Sequence, residues 1–258
     1  MPYLEIQNVS KYFGGVRAVD NLSLTVDSGD LAGIIGPNGA GKSTLFNLIS
    51  GFDKPTSGDI RINGQSTLGI KPHEIARLGI GRTFQAVHLF SGLTVHDTLT
   101  TALYTRTPYS IPEALFRTRR FKESERIARQ QALQLLDLVG LAAWKDSMGE
   151  SLPYGLQRKL ELAKALALEP KLLLLDEPAA GLNTDESIDL SILIERIWRE
   201  FGVTVLLIEH RMEVVMRICR RITVLNFGQK VAEGTSEQIR NDPRVLEAYL
   251  GKEGEDVA

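Results

Sequence analysis

Cysteine is all but missing from this chain of 258 residues: Cys219 stands alone, which excludes an internal disulfide. It sits in Val214-Val215-Met216-Arg217-Ile218-Cys219, where a buried thiol is expected. Long hydrophobic runs are missing too. None approaches the roughly 18–20 residues that a membrane span needs. Charge is nearly balanced at a formal −2, which argues against a nucleic-acid footprint, and no nucleic acid is expected as a partner. Met1-Pro2-Tyr3-Leu4-Glu5 lacks the basic and apolar regions of a signal peptide. There is no internal repeat or low-complexity tract. These absences lead us to expect a soluble cytoplasmic chain, free to dock onto a membrane protein. A hydrophobic content of 43% can build a core, and the length suits one large α/β domain or two small ones.

The most informative stretch is Gly36-Pro37-Asn38-Gly39-Ala40-Gly41-Lys42-Ser43, which fits the phosphate-binding pattern G-x-x-x-x-G-K-[ST]. Each residue type answers a physical demand. The glycines let the backbone curl until successive N–H groups point at phosphate oxygens. Lys42 supplies a point charge for the β- and γ-phosphates, and Ser43 a hydroxyl for Mg²⁺. The loop is expected to open a helix over Lys42–Ile49, whose positive end favours anions. Before it, Leu31-Ala32-Gly33-Ile34-Ile35 is a short apolar run, as a buried parallel strand requires.

Alternation in Leu4-Glu5-Ile6 and Leu22-Ser23-Leu24-Thr25-Val26 predicts half-buried antiparallel strands on either side of Gly14-Gly15. A turn at Pro55–Gly58, a strand at Ile60–Ile62 ended by Asn63-Gly64, a short helix at Ile75–Leu78 and a strand at Ile80–Phe84 follow. From about residue 86 to 165 the pattern is helical. Ala128, Ala132, Leu135, Leu136 and Val139 recur at helical spacing and Gly140 ends the run. A basic segment, Pro108 to Lys122, interrupts this block; Arg117, Arg119, Arg120 and Lys122 suit a solvated face or lipid headgroups. Leu172–Leu175, Val203–Ile208 and Ile222–Leu225 then read as central strands, Lys230–Ala232 as another, and Ser236–Arg240 and Arg244–Leu250 as terminal helices. The simplest architecture is α/β, with a helical block inserted in a nucleotide-binding domain.

Leu172–Leu175 ends in Asp176-Glu177, two carboxylates at a strand's carboxyl end, where open α/β sheets bind ligands. Asp176 suits the Mg²⁺ shell. Glu177 then lies close enough to the γ-phosphate to polarise an attacking water. A further helix is expected over Lys159–Ala167, with Leu156, Leu160, Ala163 and Ala167 on one face.

Leu152-Pro153-Tyr154-Gly155-Leu156-Gln157-Arg158, followed by Leu175-Asp176-Glu177-Pro178, resembles the signature motif and Walker B of ABC ATPases. The resemblance covers nearly the whole chain. It implies one ABC ATPase domain over 1–258: a P-loop NTPase (RecA-like) core with an antiparallel β-subdomain at 1–85 and 166–258, and an inserted helical signature subdomain at 86–165. It implies ATP and Mg²⁺ as cofactors. ATP is held by Gly36, Pro37, Asn38, Gly39, Ala40, Gly41, Lys42, Ser43, Thr44 and Asp176, with Phe13 stacked on adenine and Tyr12 as the alternative. Mg²⁺ is held by Ser43, Gln85 and Asp176. Glu177, Gln85 and His210 resemble the family's catalytic residues, His210 as the switch that senses γ-phosphate. Pro153, Tyr154 and Gly155 cap the ATP of a second subunit in a head-to-tail dimer, and Ala180-Gly181-Leu182-Asn183 resembles the loop that crosses its interface. Pro153 stands where the family has Ser or Ala, and Leu156 where it has Gln or Glu; proline lacks a hydroxyl and an N–H for phosphate. His73, His88 and His96 match no catalytic position.

Gly81-Arg82-Thr83-Phe84-Gln85, Leu89-Phe90, Leu93-Thr94-Val95, Ile208-Glu209-His210, Gly234–Ile239 and Ala248-Tyr249-Leu250-Gly251 are similar to one ATPase of the importers of branched-chain and other hydrophobic amino acids. ATPases for urea, amides and lipopolysaccharide export share much of this wording. The resemblance implies permease subunits gripped near Gln85 to Phe90, a second ATPase subunit, identical or not, and a periplasmic or extracellular binding protein. It implies a peripheral place on the cytoplasmic face of the cell membrane.

Overall fold

The computed structural model describes residues 2–106 and 109–250, so Pro108 of the basic segment and Gly251 of the terminal signature lie outside the described residues. The chain forms two compact units, Met1–Arg82 with Lys171–Ala258, and Thr83–Pro170.

The first unit begins with β1 (Pro2–Phe13) and β2 (Val16–Asp27), long antiparallel strands paired from Pro2↔Asp27 to Phe13↔Val16. After β3 (Leu31–Ile35) come the phosphate loop and α1 (Lys42–Ile49), then β4 (Ser57–Ile62) and β5 (Gln65–Ser66), which complete a four-stranded sheet in the order β2-β1-β4-β5. The helix expected at Ile75–Leu78 is α2, Pro72–Arg77. It starts earlier because Pro72 presets the first helical turn and the Glu74 carboxylate accepts from the Lys71 N–H at 3.0 Å. The strand expected to run to Phe84 is β6, Ile80–Arg82, an edge strand paired only with its neighbour through Arg82↔Leu174.

The second unit is helical: α3 (Val95–Leu103), α4 (Ile111–Leu115), α5 (Arg119–Leu138) and α6 (Tyr154–Leu166). Its strand-like pairing, among the described residues, is the single bridge Thr94↔Met148. Ala128, Ala132 and Leu136 form the buried face of α5, and Gly140 follows it at φ +73°. α6 starts at Tyr154, five residues before the expected Lys159, because the Leu156 and Gln157 N–H groups turn back to the Pro153 carbonyl at 2.9 and 3.1 Å.

The chain returns to the first unit as β7 (Leu172–Asp176), α7 (Thr184–Phe201), β8 (Thr204–Ile208), α8 (Met212–Ile218), β9 (Arg221–Asn226), β10 (Gln229–Gly234), α9 (Ser236–Arg240) and α10 (Pro243–Leu250). The second sheet has the order β10-β9-β3-β8-β7-β6, parallel except for the β10 edge. Every residue of β3, β7 and β8 is buried, which explains their apolar runs Leu31–Ile35, Leu172–Leu175 and Val205–Ile208. α8 lies hard against β3: a β-carbon on Gly33 would stand 2.9 Å from Cys219 Sγ.

Candidate nucleotide site

Strand register assembles the core of the site. Ile208 of β8 pairs with Ile34 of β3 on one side and with Asp176 of β7 on the other. The residues that follow these three strands therefore leave the sheet at one edge: the phosphate loop, Glu177 and Glu209-His210. Of the sequence-expected residues, this edge gathers Gly36–Thr44, Asp176, Glu177 and His210 in the first unit.

The loop is close-fitting. Gly36 (φ +155°) and Gly41 (φ +95°) are irreplaceable by size: a β-carbon would meet the Leu225 carbonyl oxygen at 2.1 Å and the Ala18 carbonyl oxygen at 2.2 Å. Gly41 precedes α1 with no side-chain cap, and the positive end of the helix there favours an anion. Lys42 is buried, and its Nζ donates to the carbonyls of Gly36 at 2.7 Å and Pro37 at 3.0 Å. Asn38, Gly39 and Ser43 are exposed at the mouth. An ammonium beside a curled, donor-rich backbone suits a polyphosphate.

Glu177 takes the left-handed conformation at φ +46°, rare for a non-glycine residue and typical of functional turns. Its N–H is tied to the Ile208 carbonyl at 2.9 Å, and its Oε2 lies 3.7 Å from Nδ1 of the half-exposed His210. Asn183 caps α7, accepting from the Glu186 N–H at 2.9 Å, and so ends the loop that began at Ala180. Phe13 is 47% exposed with Lys11 Nζ 4.7 Å from its ring centre, whereas Tyr12 is engaged through its hydroxyl to Asp20 at 3.3 Å. Among the described residues no group of three His, Cys, Asp or Glu could cage a metal. Mg²⁺ asks for less, one or two carboxylates beside substrate phosphates, and the Asp176 carboxylate with the Ser43 hydroxyl fits that requirement.

Gln85 and the signature belong to the second unit. Gln85 is exposed in a bend three residues past the end of β6. Pro153 occupies the N-cap of α6 (φ −50°, ψ 144°) and gives no side-chain cap, so the Tyr154 and Gly155 N–H groups open the helix with no partner inside it.

Three features were not anticipated from sequence. Arg82 ends β6 and donates to Asp176 Oδ2 at 2.9 Å and to Ser50 Oγ at 2.6 Å, between the rings of Phe46 and Phe52 at 5.7 Å each. Glu209 is wholly buried and accepts the N–H groups of Ala179 at 2.8 Å, His210 at 3.1 Å and Arg211 at 3.2 Å, joining the turns after β7 and β8; burial still holds its carboxyl above the usual range. Within the second unit, α6 grips the segment around Gln85: Arg158 donates to the Phe84 carbonyl at 3.2 Å and Lys164 to the His88 carbonyl at 2.7 Å.

Arg82→Met tests the first of these. Removing one partner of a buried ion pair strands the other charge, and the expected loss is about 3–5 kcal/mol of unfolding free energy in urea. A loss under about 1 kcal/mol, the scale of a surface pair, would show that Arg82 does not hold Asp176.

The ABC transporter family model matches residues 19–180. This chain belongs to that family. A second model, described as branched-chain amino acid ATP-binding cassette transporter, matches residues 229–255 of the cassette. The cassette is 44% identical to the high-affinity branched-chain amino acid transport ATP-binding protein BraF of Pseudomonas aeruginosa, over 97% of this chain and 98% of that one. It is 34% identical to the lipopolysaccharide export system ATP-binding protein LptB of Escherichia coli, over 98% and 99%. Its fold matches the ADP conformation of MJ1267, an ATP-binding cassette of an ABC transporter, with TM-score 0.84 and 32% identity over 97% and 99% of the two chains. The dimeric structure of the bacterial cassette MJ0796 matches with TM-score 0.77 and 27% identity over 90% and 98%. The cassette is accordingly a P-loop ATPase.

Proposed function

We propose that this cassette hydrolyses ATP to power an importer of branched-chain or other hydrophobic amino acids, from the cytoplasmic face of the cell membrane. The observation that carries the reading is the convergence at one sheet edge of the phosphate loop, Asp176-Glu177 and His210, together with full-length similarity to BraF.

In this reading the unit Met1–Arg82 with Lys171–Ala258 is the nucleotide-binding part and Thr83–Pro170 the signature-bearing part, a wider second unit than the expected 86–165 because Gln85 and the end of α6 belong to it. Lys42 and the loop N–H groups hold the β- and γ-phosphates of ATP, Ser43 and Thr44 line the start of α1, and Phe13 supports adenine. Ser43 and Asp176 would hold Mg²⁺, which when bound neutralises phosphate charge. Glu177 accepts the proton of the water that attacks the γ-phosphorus, the bond to the β-phosphate oxygen breaks, and ADP and phosphate leave. His210 donates to the γ-phosphate. Pro153, Tyr154 and Gly155 of a second ATPase subunit, identical or not, complete the site. ATP-driven closure of the pair is gated domain motion. The Gln85–Phe90 segment meets the permease, and the bonds from Arg158 to the Phe84 carbonyl just before it and from Lys164 to the His88 carbonyl within it support coupling of the signature helix to it. The periplasmic or extracellular binding protein acts through the permease.

The test is reconstitution of this chain with the permease and binding protein of a branched-chain amino acid importer. Leucine, isoleucine or valine uptake that requires ATP is expected. Absence of such uptake, with ATPase activity stimulated by urea, an amide or lipopolysaccharide instead, would reassign the cargo and leave the ATPase reading untouched.

A further inference from the structure

Ile111, Phe116 and Leu115 are 86%, 78% and 76% exposed, more open than any other large apolar side chain among the described residues. Single exposed apolar residues are ordinary; three within six positions form a patch. The patch does not come from fraying. The Ser110 N–H and hydroxyl both donate to Glu113 Oε2, at 2.7 and 2.9 Å, which fixes the start of α4. The Tyr109 and Phe121 rings meet edge to face at 4.9 Å and Tyr109 donates to Glu125 at 2.9 Å, which anchors the segment to α5. Ile111 and Leu115, four apart on α4, are thus held outward on one face.

Charge surrounds this patch. Arg117, Arg119, Arg120 and Lys122 are all exposed, and among the described residues only Arg120 meets a carboxylate, Glu113 at 3.6 Å. Residues 109–122 hold four cations and one carboxylate in a chain whose net charge is −2.

We propose that this segment is a docking surface for an anionic lipid bilayer, with Ile111, Leu115 and Phe116 entering the headgroup boundary and Arg117, Arg119 and Lys122 meeting lipid phosphates. Charge complementarity selects the occupant: outstanding apolar side chains flanked by unpaired cations match a fluid, negatively charged surface, which needs no fitted pocket. Long cationic stems reach phosphate while keeping their charge in water. The inference goes beyond the transport reading and does not depend on the cargo.

The experiment is flotation of the purified full chain with vesicles of phosphatidylcholine alone and of phosphatidylcholine with phosphatidylglycerol. Binding to the anionic vesicles, weakened by salt, is expected, and the neutral vesicles are expected to bind little. Ile111→Ser/Phe116→Ser and Arg117→Glu/Arg119→Glu are each expected to lower anionic binding about tenfold or more, with ATPase activity in detergent unchanged. Equal binding to both vesicle types, no binding, or full binding by both variants would overturn the proposal. If wild type fails to bind vesicles while the same variants lose co-purification with the permease, the occupant is protein and the lipid surface is refuted.

Discussion

Glu177→Gln is expected to cut steady-state ATP hydrolysis about a hundredfold or more while sparing ATP binding. The substitution keeps the size of the side chain and removes its capacity to take a proton. It also leaves the backbone undisturbed: the left-handed conformation at φ +46° and the bond from its N–H to the Ile208 carbonyl do not depend on the side-chain charge. With hydrolysis blocked, ATP remains in place, and an ATP-bound dimer is expected to accumulate on gel filtration. Phosphate release measures the first effect and elution volume the second. Normal turnover by the variant would remove Glu177 from the role of base, and His210, 3.7 Å away, would become the next group to test.

Lys42→Ala is expected to lower nucleotide affinity or turnover by about a hundredfold, the scale of a lost charge-stabilising contact to phosphate. Lys42 is buried and its ammonium already rests on the Gly36 and Pro37 carbonyls, so little rearrangement separates it from an incoming phosphate. Alanine removes the cation from a loop whose remaining donors are backbone N–H groups. A fluorescent ATP analogue reads affinity and phosphate release reads turnover. Unaltered values for both would refute the phosphate-loop assignment. The two variants separate binding from chemistry: loss of affinity belongs to Lys42, and trapped nucleotide to Glu177.

Local chemistry made much of this legible in sequence. The bounds of β3 and α1 follow from an apolar run and a glycine-rich loop, and both match the expected residues. The buried strands β7, β8 and β9 were readable because strands covered on both faces carry no polar alternation. Element starts were harder. α2 and α6 both begin at prolines' edges, and Pro72 and Pro153 are start signals that the apolar spacing alone does not reveal.

The supporting contacts of the site were not legible, because they join residues far apart in sequence. Arg82 and Asp176 are 94 residues apart, and Arg82 reads in isolation as a strand-end cation. Glu209 offered a faint signal, a carboxylate directly after the apolar run Val205–Ile208. Its three N–H partners are visible only once β7 and β8 are paired. Arg158 and Lys164 look like solvated positions on a helix, yet both bond backbone carbonyls about Gln85.

The contact between Cys219 and the glycine of β3 has a practical consequence. Burial, with the nearby Glu209 charge, pushes the thiol up to about 12, so almost none is thiolate at neutral pH, and Cys219 is only 4% exposed. Maleimide reagents are therefore expected to leave the wild-type chain unmodified. A single cysteine introduced on the outer face of α4 or at the signature can carry a spectroscopic probe without first mutating the native one.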